Sequence, residues 1–120
     1  MTHRATGHNR LCGDHVTVMF RRDGDRIAAV TFEGAGCALS TASASLMTDA
    51  VAGRTTDAAL AFQAEVLAMV SGAGPVREEV LGDVVVLSAV RAFPARARCV
   101  TLAWETLGEA LAVPAGSAGA

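Results

Sequence analysis

The chain has 120 residues, just over half of them apolar (52%), which suits one domain with one hydrophobic core, large enough to fold without a disulfide framework. Its formal charge is −2, with signs scattered along the sequence, which excludes the arginine- or lysine-rich face of a nucleic-acid binder. The basic side chains are arginines without a single lysine, which excludes Schiff-base and lysine-nucleophile chemistry.

Met1 to Leu11 is polar, has no apolar run before a small-residue cleavage site, and is expected to be a flexible lead. No stretch is long and apolar enough to span a bilayer, so a cytoplasmic protein without membrane contact is expected. Val16 to Arg22 alternates apolar and polar residues, Asp23-Gly24-Asp25 supplies turn chemistry, and Ile27 to Glu33 resumes strand composition, predicting a β-hairpin. After Gly34-Ala35-Gly36, a first helix runs from Cys37, with Leu39, Ala42, Leu46 and Ala50 at near-helical spacing and Gly53 closing it. Thr55 to Asp57 offers capping oxygens for a second helix, striped by Ala59, Phe62, Val66 and Met69 and ending in Ser71-Gly72-Ala73-Gly74-Pro75.

Leu81 to Val90 is ambiguous. Its valines favour a strand, whereas Asp83 fits a helix cap ahead of Pro94. A last helix follows from Pro94, with Val100, Ala103, Trp104, Leu107 and Leu111 along one face, and Pro114 to Ala120 is expected to be a disordered tail. A small sheet followed by helices, without strand–helix alternation, predicts an α+β domain spanning 1–120.

Three cysteines, an odd number in a reducing compartment, favour metal or thiol chemistry over disulfides. Cys12 lies in a loop, Cys37 at the start of the first helix and Cys99 in the opening turns of the last, where the helix dipole favours thiolates. Arg96 and Arg98 add positive charge beside Cys99. Cys12-Gly13-Asp14 brings a thiol and a carboxylate within reach of one ion, and three thiolates with one carboxylate satisfy tetrahedral zinc. Spacing alone leaves a second reading open. Without CxxC pairs the cysteines more usually read as small core hydrophobes, Asp14 as an Asx turn, and the arginines as a solvated helix face.

Four passages narrow this choice: Leu11-Cys12-Gly13-Asp14, the run from Phe32 through Gly36-Cys37 to Ser40, Ala42 to Met47, and Phe93-Pro94-Ala95-Arg96-Ala97-Arg98-Cys99 followed by Leu102-Ala103-Trp104. In this order they resemble the NifU-N/IscU superfamily of iron–sulfur assembly proteins, from Asn9 to about Leu111. A basic residue, Arg98, where IscU-type scaffolds carry histidine, together with the long interval between Cys37 and Cys99, resembles the SufU branch.

The resemblance implies the SufE/NifU-like fold, a small antiparallel sheet packed against several helices, which makes Leu81 to Val90 helical. It implies Zn²⁺ on Cys12, Asp14, Cys37 and Cys99, and a cysteine desulfurase dependent on pyridoxal phosphate (SufS-type) as partner. A histidine of that partner would take over one zinc position, freeing Cys12 to accept the persulfide sulfur, with Arg96 steadying the anion. Enzymatic activity would then amount at most to zinc-dependent sulfur transfer. The alternative implied is a scaffold that builds a [2Fe–2S] cluster, or holds iron, on Cys12, Cys37 and Cys99 and passes it to apoproteins or other assembly proteins. Family members also carry an N-terminal helix that helps dock the desulfurase, for which Met1 to Leu11 is too short; His3, His8 and His15 do not replace it, and His15 beside Asp14 reads as a solvated residue or a substitute ligand.

Overall fold

The computed structural model describes residues 3–9, 13–34 and 36–112. Three antiparallel strands, β1 (His3–Asn9), β2 (Asp14–Asp23) and β3 (Arg26–Glu33), form a sheet in that order. Helices α1 (Ala38–Val51), α2 (Thr56–Ser71), α3 (Glu78–Leu81) and α4 (Pro94–Ala112) follow, with a 3₁₀ segment, Gly82–Val90, between the last two. The expected α+β architecture is therefore present, and no helix among the described residues is long and apolar enough to cross a membrane.

The β2–β3 hairpin turns at Asp23-Gly24-Asp25 as predicted, with a register shift between Arg21 and Arg22. Strand periodicity sets what β2 presents to the helices: Asp14, Val16, Val18 and Phe20 are buried, one residue in two. The same alternation turns His15 to the exposed face, opposite His8 of β1, with the two rings 6.2 Å apart.

One expectation is overturned. Within the segment expected to be a flexible lead, His3–Asn9 forms β1 and pairs with β2 from His3↔Phe20 to Asn9↔Asp14; Met1, Thr2, Arg10 and Leu11 lie outside the described residues. Its side chains give no apolar alternation, because the strand is held by main-chain pairing; its most buried side chain is a histidine, His3, stacked on Phe20 at 4.5 Å between centroids. Gly7 adds room, since a Cβ there would collide with Thr106 Oγ1 and meet Leu102 of α4 at 3.2 Å.

α2 follows its predicted stripe, with Ala59, Phe62, Val66 and Met69 buried, Thr55 accepting the Ala58 N–H at its start and Gly72 in the left-handed region at its end. α4 buries Val100, Ala103, Trp104 and Leu107, and starts at Pro94, where a missing N–H costs nothing. Trp104 is fully buried, stacked on Phe62 at 5.7 Å.

α1 is rotated from its expected orientation. Its buried residues are Ser43, Ala44, Met47 and Val51, whereas Ala42 is exposed and Leu39, Leu46 and Ala50 are half-buried. The face is chosen by hydrogen bonding as well as apolarity: the Ser43 hydroxyl donates to the Val100 carbonyl at 2.6 Å and accepts the Trp104 indole N–H at 3.1 Å. Leu81 to Val90 is helical, as the resemblance implied, and most of it is 3₁₀. Leu81, Val84, Leu87 and Val90 are buried at intervals of three, the repeat of a 3₁₀ helix, while Val86 is 64% exposed.

Candidate metal centre

The site grows from the joint between sheet and helices. Asp14 opens β2 on its inward face and is only 5% exposed. Cys37 is the N-cap of α1, with extended backbone (φ −71°, ψ 168°) and its Sγ accepting the Ser40 N–H at 3.4 Å. Cys99 is buried in the second turn of α4. The three elements converge so that one carboxylate oxygen of Asp14 and the two sulfurs lie within 4.8 Å of one another.

Both carboxylate oxygens are engaged. Asp14 Oδ1 accepts the Cys37 backbone N–H at 3.1 Å, and Oδ2 accepts the Ser40 hydroxyl at 2.6 Å and the Cys37 thiol at 3.6 Å. A carboxylate at the start of α1 also meets the positive end of the helix dipole. Ser40 reaches further, lying 3.5 Å from Cys37 Sγ and 3.2 Å from the Cys99 carbonyl oxygen. The Cys37 thiol is held below its ordinary pKa, first by the Ser40 hydroxyl, against an opposing effect of burial, and then by the Ser40 N–H, the Cys99 side chain and the Leu39 N–H. Hydrogen bonds at a helix N-terminus thus favour the thiolate, the form that binds metal or attacks sulfur.

The donor set fits a tetrahedral metal ion. Bonds of about 2.0–2.3 Å put neighbouring donors about 3.3–3.8 Å apart, so side-chain adjustments on the order of 1 Å gather the carboxylate and two sulfurs around one ion. Asp14, Cys37 and Cys99 are residues the sequence singled out, and they meet. Cys12 lies outside the described residues; Gly13, which joins it to Asp14, has φ +72°, the left-handed conformation that glycine adopts without strain. Arg96 is exposed, its guanidinium 5.1 Å from the Phe93 ring centre, and Arg98 is exposed on an open cleft shared with His8, Thr101 and Glu105. Among the described residues His15 is not part of the group, because strand alternation points it away from Asp14. Ser40 and Gly36 escaped notice in the sequence as part of the site. A serine three residues after an N-cap cysteine is the signal for the first; Gly36 lets the loop pass close, since a Cβ there would sit 3.2 Å from the Asp14 carboxyl carbon.

A small antiparallel sheet covered by helices, with a carboxylate and two thiols at their joint, defines an α+β domain with a candidate metal site at one corner. The family model of the NifU-like N terminal domain matches residues 2–100, and the chain belongs to that family. It is 41% identical over 104 residues to the iron–sulfur cluster assembly scaffold protein IscU of Streptococcus pyogenes serotype M1, covering 87% of this chain and 65% of that protein. The chain thus spans less than two thirds of that relative's length. It is 38% identical over 109 residues to the zinc-dependent sulfurtransferase SufU of Bacillus subtilis (strain 168), covering 91% of this chain and 74% of that protein. Among solved structures, the protein of Fervidobacterium islandicum AW-1 described as an iron–sulfur cluster assembly scaffold for the SUF system superposes with a TM-score of 0.86 at 39% identity, over 91% of this chain and 79% of that one.

Proposed function

We propose that this chain is a zinc-dependent sulfur acceptor in iron–sulfur cluster assembly, cytoplasmic, which activates and takes sulfur from a cysteine desulfurase of the SufS type. The observation that carries the reading is the convergence of Asp14, Cys37 and Cys99 within 4.8 Å, with Cys12 two residues before Asp14 in the chain. These four residues would hold the zinc. When bound, the ion keeps its cysteine ligands deprotonated at neutral pH and draws their charge together.

The protein's own groups divide the work. Cys37 and Cys99 are carried by helices packed into the core and serve as anchors, with Asp14 the more weakly bound ligand because oxygen is a poorer partner for zinc than thiolate. Cys12 is the acceptor: its thiolate attacks the outer sulfur of the desulfurase persulfide, a new S–S bond forms on Cys12, the old S–S bond breaks, and the desulfurase cysteine leaves as a thiolate. The outer sulfur keeps its proton or loses it to solvent. Arg96, three residues before Cys99, steadies the anionic sulfur. Arg98 immediately before Cys99 and the B. subtilis relative's name support zinc-dependent transfer.

A second reading, a scaffold for a [2Fe–2S] cluster, is favoured by the soft cysteine pair and by the name of the S. pyogenes relative. Metal analysis and absorbance of protein purified without chelator decide between them. One zinc per chain and no visible absorbance, with desulfurase turnover raised by the protein and abolished by Cys12→Ala, is the expected result. Iron with a charge-transfer band would replace the first reading by the second.

A further inference from the structure

Ser40 makes more contacts to the site than any single ligand requires. Its hydroxyl donates to Asp14 Oδ2 at 2.6 Å, lies 3.5 Å from Cys37 Sγ and 3.2 Å from the Cys99 carbonyl oxygen, and its N–H reaches Cys37 Sγ at 3.4 Å. One half-buried side chain therefore touches all three residues of the group. It does so from the N-terminal turn of α1, where the helix backbone fixes Cα and the Cβ direction and the hydrogen bonds select the side-chain rotamer.

We infer that Ser40 is a positioning residue for the metal centre, acting through Asp14: its hydroxyl fixes the carboxylate in the rotamer that faces the two thiols. This rests on the reading of Asp14, Cys37 and Cys99 as metal ligands.

The Cys37 N–H donates to Oδ1 at 3.1 Å, and Oδ2 takes the Ser40 hydroxyl at 2.6 Å beside the Cys37 thiol at 3.6 Å. The short hydroxyl bond is the firmest of these contacts, so the N-cap residue and the residue three positions on clamp the carboxylate at both oxygens. Metal-bound carboxylates are commonly oriented by such partners, and removing one lowers metal affinity by about 10–100-fold. The Cys99 carbonyl oxygen lies 3.2 Å from the same hydroxyl, the longer branch of a shared donation, so the clamp is referenced to α4, the element that carries the second sulfur.

The test is zinc affinity, by competition with a chromophoric chelator, for wild type, Ser40→Ala, Ser40→Thr, Asp14→Ala and the double variant. Wild type is expected to bind one zinc per chain, Ser40→Ala to bind about 10–100-fold more weakly, and Ser40→Thr, which keeps the hydroxyl, to recover most of the loss. In the Asp14→Ala background, Ser40→Ala is expected to cost little more, because the residue it positions is gone. Cobalt-substituted Ser40→Ala is expected to show a shifted d–d spectrum. If wild type bound no zinc, the underlying reading of the ligands would fail. If wild type bound zinc and Ser40→Ala matched it in affinity and cobalt spectrum, or if the two losses were additive, the positioning role alone would be overturned.

Discussion

The backbone N–H of Cys37 donates to Asp14 Oδ1 at 3.1 Å, so the residue that opens β2 also fixes the start of α1. The bond joins sheet to helix at the candidate metal site, and it makes Asp14 part of the fold as well as of that site. Asp14→Ala is therefore expected to destabilise the metal-free protein by about 1–2 kcal/mol. Asp14→Asn, which keeps one acceptor oxygen for the Cys37 N–H and loses the charge and the second acceptor, is expected to cost less while still weakening zinc binding. Urea denaturation of the three metal-free proteins checks this; equal midpoints would show that the bond contributes nothing to the fold.

Ser43 is the polar residue on the buried face of α1, between the Trp104 indole and the Val100 carbonyl. Ser43→Ala strands a donor inside a fully buried tryptophan, which costs about 1–3 kcal/mol. Trp104 is the single tryptophan, so its emission reports the same event. Unfolding followed by fluorescence should show an earlier midpoint, and an unchanged midpoint would remove this network from the account of the core.

His3 is 1% exposed, and its pKa lies below the ordinary 6.5, first because burial disfavours the charged ring and second because Arg22 repels it. A base whose folded pKa is depressed contributes stability above its unfolded pKa and loses it as pH falls from about 6.5 through the lower folded value. Denaturation midpoints should therefore decline from pH 7.5 to pH 5, and His3→Phe, which keeps a ring against Phe20, should flatten that slope. A slope that survived His3→Phe would assign the acid sensitivity to other groups.

Gly34 separates β3 from the loop that delivers Cys37, with φ +151°. A Cβ there would collide with the His15 carbonyl oxygen and lie 2.9 Å from the Val16 Cα, both in the main chain of β2, which has no side-chain freedom to yield. Gly34→Ala should cost more than about 1 kcal/mol and draw Cys37 away from Asp14, read as lower zinc retention on a desalting column. Full retention would separate the loop's conformation from the site.

Much of the candidate site was legible because Asp14 and Cys37 sit at positions that local pattern fixes. Asp14 shares its parity with Val16, Val18 and Phe20 and therefore faces inward, while Cys37 falls at a helix start after a glycine pair. The orientation of α1 was not legible, since a helix of alanines, serines and threonines offers little apolar contrast. There the hydrogen bonds of Ser43 to α4 decide the face. β1 was hidden for a related reason: its pairing is made by backbone groups, which every sequence carries, and its buried side chain is polar.

By itself the sequence determined the hairpin, the second and last helices, the α+β class and the candidate ligands, because turn residues, caps and apolar period are local properties. The tertiary structure decided strand β1, the rotation of α1, the 3₁₀ form of Gly82–Val90 and the placement of Ser40 between Asp14 and Cys37. Those depend on which groups meet across sequence separations of 26 or 59, as Ser40 does with Asp14 and Cys99, and only chain folding fixes such distances.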